Sequence, residues 1–187
     1  MARALAAALC LCSFACGAAD WDVARLFESL SQQKPTRAAF QERKFLALLD
    51  KPVDSSGELT FTPPDRLEKR TLKPRPESIV VERNRVMVER AGKRQSIGLG
   101  DYPGLAVLVE SIRGTLAGDL AALTRSFSVA LDGAEARWRL TLRPLDPALG
   151  ALAERIEIGG SQARVQTVAI FQADGDRSLM TLAPLAP

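Results

Sequence analysis

The chain has 187 residues, with 25 Lys and Arg against 22 Asp and Glu and no histidine, for a net charge of +3. One domain of common size accommodates that length, and so even a charge balance does not suggest a nucleic-acid partner. Without histidine, the commonest general base and the commonest metal ligand are both missing.

Arg3 opens the chain with a positive charge, and Ala4 to Ala15 form an apolar segment of 12 residues. Gly17-Ala18-Ala19 then supplies small residues for signal-peptidase cleavage near Ala19. Twelve apolar residues are too few to span a bilayer, which takes about 20, and no later stretch comes near that length. The expectation is a signal peptide over 1–19, export to the periplasm, and a soluble domain over 20–187. Removing Arg3 leaves 24 basic against 22 acidic residues. All three cysteines, Cys10, Cys12 and Cys16, lie in the leader, so the expected mature chain has neither disulfides nor thiol chemistry. Lipidation at Cys16 is the alternative, although Ser13-Phe14-Ala15 is a poor match to the usual Leu-Ala-Gly type of box.

From Asp20 to Gln33, Trp21 or Val23, then Leu26, Phe27 and Leu30, form one apolar stripe at helical spacing. Asp20 or Asp22 suits the N-cap, and Lys34-Pro35 ends the helix. Beyond it the period shifts toward two. Strands are expected at about 38–49, 57–62, 66–72, 78–83, 85–90 and 93–98. Helical spacing returns over 101–123, where Leu105, Leu108, Val109 and Ile112 are read onto one face, with Leu116, Leu120 and Leu123 following around Gly118-Asp119. Strands resume at about 125–132, 136–143, 153–159, 163–172 and 176–182, with Asp132-Gly133, Gly159-Gly160 and Asp174-Gly175 read as hairpin turns.

Tight polar turns between successive strands imply antiparallel pairing, because parallel pairs need long crossovers. The apolar residues alternate: Leu59 with Phe61, Phe127 with Val129 and Leu131, Trp138 with Leu140 and Leu142, Ile156 with Ile158. One apolar and one polar face describe a sheet covered on a single side, and so long a twisted sheet must curl. The expected fold class is mainly β with α: a strongly curved antiparallel sheet of about 11 strands, an incomplete barrel, closed by the N-terminal helix and the helical insert.

The order of motifs resembles the LolA family of periplasmic outer-membrane lipoprotein carriers, over nearly the whole mature chain. Gly57-Glu58-Leu59, Pro63-Pro64 and Pro76-Glu77-Ser78-Ile79-Val80-Val81 stand where the family has its Gly-x-Leu strand, its Arg-Pro break and its Pro-x-Glu-Ser turn. Phe40-Gln41-Glu42-Arg43, Trp138-Arg139-Leu140-Thr141-Leu142 and Gly175-Asp176-Arg177-Ser178 are similar to further family segments. Two departures mark a divergent branch. The family arginine that holds the lid helices closed is replaced by Pro63, and tryptophans usual in the second, third and fifth strands fall at Thr60, Lys69 and Val88.

The resemblance implies a monomeric, non-catalytic carrier of an acylated molecule, a lipoprotein or a lipid, with an inner-membrane transporter and an outer-membrane acceptor as partners and no cofactor. Same-fold alternatives are a lipid-sensing or receptor domain and an accessory scaffold of a lipid-export pathway. The apolar face of Leu59, Phe61, Leu67, Met87, Trp138 and Leu140 reads by itself as a packed core; the resemblance makes it a cavity for acyl chains. The resemblance likewise makes Leu105, Leu108, Val109 and Ile112 a movable lid, with Gly100, Gly104, Gly114 and Gly118 as hinges rather than ordinary turn residues. Arg66 to Arg94 carries ten basic and four acidic residues. Arg83, Arg85 and Arg90 in it are candidates for docking an acidic partner, against the plainer reading of solvated edge strands. Asp174 and Asp176, with Asp146, are candidates for an acid–base pair or a cation site, against the plainer reading of Asp174-Gly175-Asp176 as a turn between two strands, and Ser55-Ser56-Gly57 has no histidine to activate a nucleophile.

Overall fold

The structure is a computed structural model that describes residues 21–33, 35–150 and 152–185. The expected signal peptide and Cys16 lie outside the described residues. Helix α1 (Val23–Ser31) starts at Asp22, whose carboxylate accepts from the Arg25 amide at 2.9 Å. Leu26, Phe27 and Leu30 form its buried stripe.

Six strands follow: β1 (Thr36–Phe45), β2 (Val53–Thr62), β3 (Arg66–Lys73), β4 (Glu77–Glu82), β5 (Arg85–Arg90) and β6 (Lys93–Gly98). The insert is not one helix but two, α2 (Pro103–Ala117) and α3 (Leu120–Ser126). Gly118, at φ +67°, ends the first, and the Asp119 side chain caps the second by accepting from the Ala122 amide. Then come β7 (Phe127–Ala134), β8 (Arg137–Pro144), the short α4 (Pro147–Gly150), β9 (Arg155–Ser161), β10 (Arg164–Phe171) and β11 (Arg177–Pro184).

All eleven strands join one antiparallel sheet in the order β6-β5-β4-β3-β2-β1-β11-β10-β9-β8-β7. The pairing of β1 with β11 joins the two halves of the chain. The end strands β6 and β7 do not pair, so the sheet curves without closing, and the expected fold class holds.

Directly paired residues share a face, so the register sorts the strands into an inner and an outer surface. One inner row runs Phe61, Leu67, Val81, Val86, Ile97. Another runs Leu131, Leu140, Ile158, Val168, Met180 and ends on Glu42 and Ser55.

Two glycine pairs differ from their expected turn positions. Gly133 lies inside β7 and Gly160 inside β9, and both are paired with Trp138 on β8. A Cβ at 160 would fall 2.4 Å from Trp138 Cζ2, so Gly160 makes room for the indole, whereas Gly133, at φ +99°, would place a Cβ 2.3 Å from the Arg137 carbonyl oxygen. The turns themselves are Glu135-Ala136 and Gln162-Ala163. Asp174-Gly175 is a turn as expected: Asp174 accepts from the Asp176 amide at 3.0 Å, and Asp176 accepts from the Ala47 amide at 2.7 Å. Asp174 thus closes its own turn, and Asp176 ties that turn to the segment after β1.

Candidate functional site

The inner face carries two apolar clusters. The first packs Leu26, Phe27 and Leu30 of α1 with Val107 and Leu123 of the insert against Phe127, Trp138, Leu140, Leu142, Ile156 and Ile158. The second packs Val109, with Leu105 and Ala106 at its margin, against Val81, Val86 and Leu99 and their half-buried neighbours Leu67, Ile79, Val88 and Ile97. Helix α2 therefore bridges both. Between the clusters, on β2, β1 and β11, lies a strip belonging to neither, in which Phe40 and Phe61 are buried and Leu59, Met180 and Leu182 are half-buried.

The apolar candidates are distributed over these regions. Trp138 and Leu140, 2% and 0% exposed, lie in the first cluster. Leu67 joins the second, while Phe61 and Leu59 face inward in the strip between them. Met87 does not share their face: it pairs with Val80 and Ser96, and its neighbours Val86 and Val88 take the inner side. The expected vacancy around Trp138 and Leu140 is filled by side chains of α1 and the insert.

The insert also departs from the expected single stripe. Val109 is buried, but Leu105, Leu108 and Ile112 are half-buried; the deeply covered positions are Val107, Ser111, Gly114 and Thr115. Ser111 and Thr115 donate their hydroxyls to the Leu108 and Ser111 carbonyls at 2.8 and 2.7 Å, which satisfies them within the helix. The result is a smooth face of small residues. A Cβ at Gly114 would lie 2.8 Å from Leu123 Cγ, and one at Gly118 would lie 2.4 Å from the Ser31 amide nitrogen, so these glycines let α3 and α1 approach closely. The spacing Ser111, Gly114, Thr115, Gly118 was visible in the sequence, but apolar residues all round α2 hide it from a search for a single stripe.

The three arginines do not form one surface. Arg83 sits in the β4–β5 turn at φ +51°, with its carbonyl accepting from Arg113 Nη1 at 2.8 Å. Arg85 and Arg90 stand at opposite ends of β5 and, five residues apart, on opposite faces. Arg90 is also paired with Glu77. A cavity of about 540 Å³ opens between the β4–β5 turn at Arg83 and helices α2 and α3, which supply most of its lining. Arg83, Arg113 and Arg125 line it together with Asp65, Glu110 and Asp119, so its formal charges balance.

The sequence reading missed a polar centre in the strip. Glu42, on the inner face of β1, is nearly covered, and its carboxylate accepts from Lys69 Nζ at 2.5 Å, Ser178 Oγ at 2.7 Å and Ser55 Oγ at 3.2 Å. Lys44 Nζ stands 3.7 Å from the same carboxylate, and the Lys69 ammonium lies 4.9 Å from the centre of the Phe40 ring. Burial acts to raise the Glu42 pKa, but the Lys69 charge and hydrogen bond, with Ser178 and Lys44, outweigh it and hold the carboxyl below its ordinary value. Alternation from Phe40 places Glu42 and Lys44 inward, which was the available signal; the partner Ser178 lies 136 positions away and could not be read locally.

Among the described residues there is no group of His, Cys, Asp and Glu arranged to hold a metal ion, and no helix long and apolar enough to cross a membrane. No curated protein matches the sequence. Among solved structures, a LolA superfamily protein from Nitrosomonas europaea is 10% identical with a TM-score of 0.46, over 88% of this chain and 92% of that one. A putative outer membrane lipoprotein-sorting protein domain from Vibrio parahaemolyticus is 10% identical with a TM-score of 0.45, over 88% and 91%. LprF from Mycobacterium bovis is 15% identical with a TM-score of 0.36, over 88% and 93%. A family model described as outer membrane lipoprotein carrier protein LolA-like matches residues 15–186, and the chain belongs to that family.

Proposed function

We propose that the mature protein is a periplasmic carrier that binds the acyl chains of a lipoprotein or lipid against the inner face of its sheet. It carries them from an inner-membrane transporter toward an outer-membrane acceptor. Export follows from the leader, with cleavage near Ala19. The observation that carries this reading is the pair of apolar clusters on the inner face of one curved sheet, both packed under helices rather than under a second sheet and separated by the strip of Phe40, Phe61, Leu59, Met180 and Leu182.

The covered interior sets how such a carrier works. Leu26, Phe27 and Leu30 of α1 with Val107 and Val109 of α2 contribute roughly 8–15 kcal/mol by burial, at about 1.5–3 kcal/mol each. A 16-carbon chain offers on the order of 12 kcal/mol, at about 0.8 kcal/mol per methylene. Cargo that displaces the helical cover therefore gains only a modest difference, which keeps release possible. Helix α2, bridging both clusters, is the movable element, and transfer needs no covalent chemistry. The carrier follows differences in affinity from donor to acceptor.

The expected result with purified mature protein is saturable uptake of the neutral fluorophore N-phenyl-1-naphthylamine, reversed by a competing acyl lipid. Absence of uptake at micromolar probe, with the protein folded by circular dichroism, would overturn the carrier reading.

A further inference from the structure

An ionic group on an otherwise apolar carrier surface is costly unless paired, and the Glu42 centre is more than paired. One carboxylate faces two lysines, leaving one cation in excess. The surplus charge is at Lys44, whose ammonium stays beyond hydrogen-bond distance from Glu42 and has no other ion-pair partner among the described residues. Its side chain is 47% exposed against 22% for Lys69 and 5% for Glu42, so the centre grades outward from a buried anion to an accessible cation. Lys69 also keeps donor capacity, since an ammonium carries three N–H groups and the carboxylate takes one. The Glu42 carboxylate itself demonstrates that the lysines and the two serines can surround a group of that shape.

The position matters as much as the charge. Glu42 is registered with Met180, and the same inner row continues through Val168, Ile158 and Leu140. Four strand spacings of about 4.8 Å make this row about 19 Å long. Polar head and apolar track are thus collinear on one surface.

Resting on the carrier reading above, we propose that the Lys44–Lys69 end of this row binds the carboxylate head of a long-chain fatty acid, whose tail lies along the row toward Leu140. A neutral acyl lipid uses the same track without the head contact. The centre therefore selects among acyl ligands by the charge of the head, with Glu42 as an internal competitor that holds Lys69 until the ligand arrives.

The test measures displacement of N-phenyl-1-naphthylamine by oleate and by its methyl ester at constant pH and salt. Oleate is expected to bind about tenfold more tightly than the ester. Lys44→Gln should weaken oleate several-fold and leave the ester unchanged, and Glu42→Gln should tighten oleate because it removes the competing anion. Lys44 is half exposed, so its variant keeps the test valid if Glu42→Gln unfolds. Equal affinity for oleate and ester, or an oleate preference unmoved by Lys44→Gln, overturns the head-group assignment while leaving the carrier reading intact. Binding of neither ligand overturns both.

Discussion

Trp138→Ala is expected to destabilise the protein by about 3–5 kcal/mol, the range for losing a large buried aromatic. The indole is 2% exposed and is flanked in register by Gly133 and Gly160, so neighbouring strands have no side chains with which to fill the space. Its Nε1 donates to the Gln162 carbonyl at 2.8 Å, and the substitution also removes that partner. For a domain of this size each kcal/mol lowers Tm by about 2–4 °C. Thermal unfolding should therefore show a fall of about 6–20 °C. A Tm within about 2 °C of wild type would mean that this end of the sheet is not the packed core described here.

Replacing Lys69 by Met is expected to cost about 3 kcal/mol at pH 7, because removing one partner leaves a buried carboxylate less compensated. The loss should shrink in acid. In the wild type the folded Glu42 pKa lies below its ordinary value of 4.5, so its contribution is fully present above that value and is lost as the pH falls through the folded pKa. In the variant, burial is no longer opposed by Lys69, and the folded pKa moves upward. Acidification therefore removes less stability from the variant than from the wild type, and the gap narrows. Urea denaturation at pH 7 and at pH 4 reads the difference. A wild-type-to-variant gap of equal size at both would show that Lys69 does not act through the Glu42 charge.

Much of the architecture was legible because strand periodicity is local. Alternation in several strands, with turn signals between the others, located all eleven, and helical spacing after Gly98 marked the insert. Glycines were misread where strand packing requires them: Gly133 and Gly160 fit turn statistics, yet both lie in strands and pair with Trp138, Gly160 to admit the indole and Gly133 to let the Arg137 backbone approach. Met87 was misplaced because Val86-Met87-Val88 is apolar throughout, so period two cannot say which residues face inward; pairing with Val81 and Ile79 decides it. The Glu42 centre was hidden for a different reason. Its donors come from β2, β3 and β11, and only the pairing of β1 with both β2 and β11 brings Ser55 and Ser178 to one carboxylate. A surface assembled across the join between the chain's two halves leaves little local trace.

The exchange of helical cover for hydrocarbon is tested most directly by fixing that cover. Val109 of α2 and Val86 of β5 belong to one cluster, and all three native cysteines lie within residues 10–16 of the expected leader. A Val109→Cys, Val86→Cys variant of the mature protein then carries only these two thiols, and thiol titration after oxidation reads whether a disulfide has closed between α2 and the sheet. The predicted result is that the oxidised form takes up no N-phenyl-1-naphthylamine and that reduction of the same sample restores uptake. Equal uptake by the locked and reduced forms would contradict the displacement of α2 by cargo.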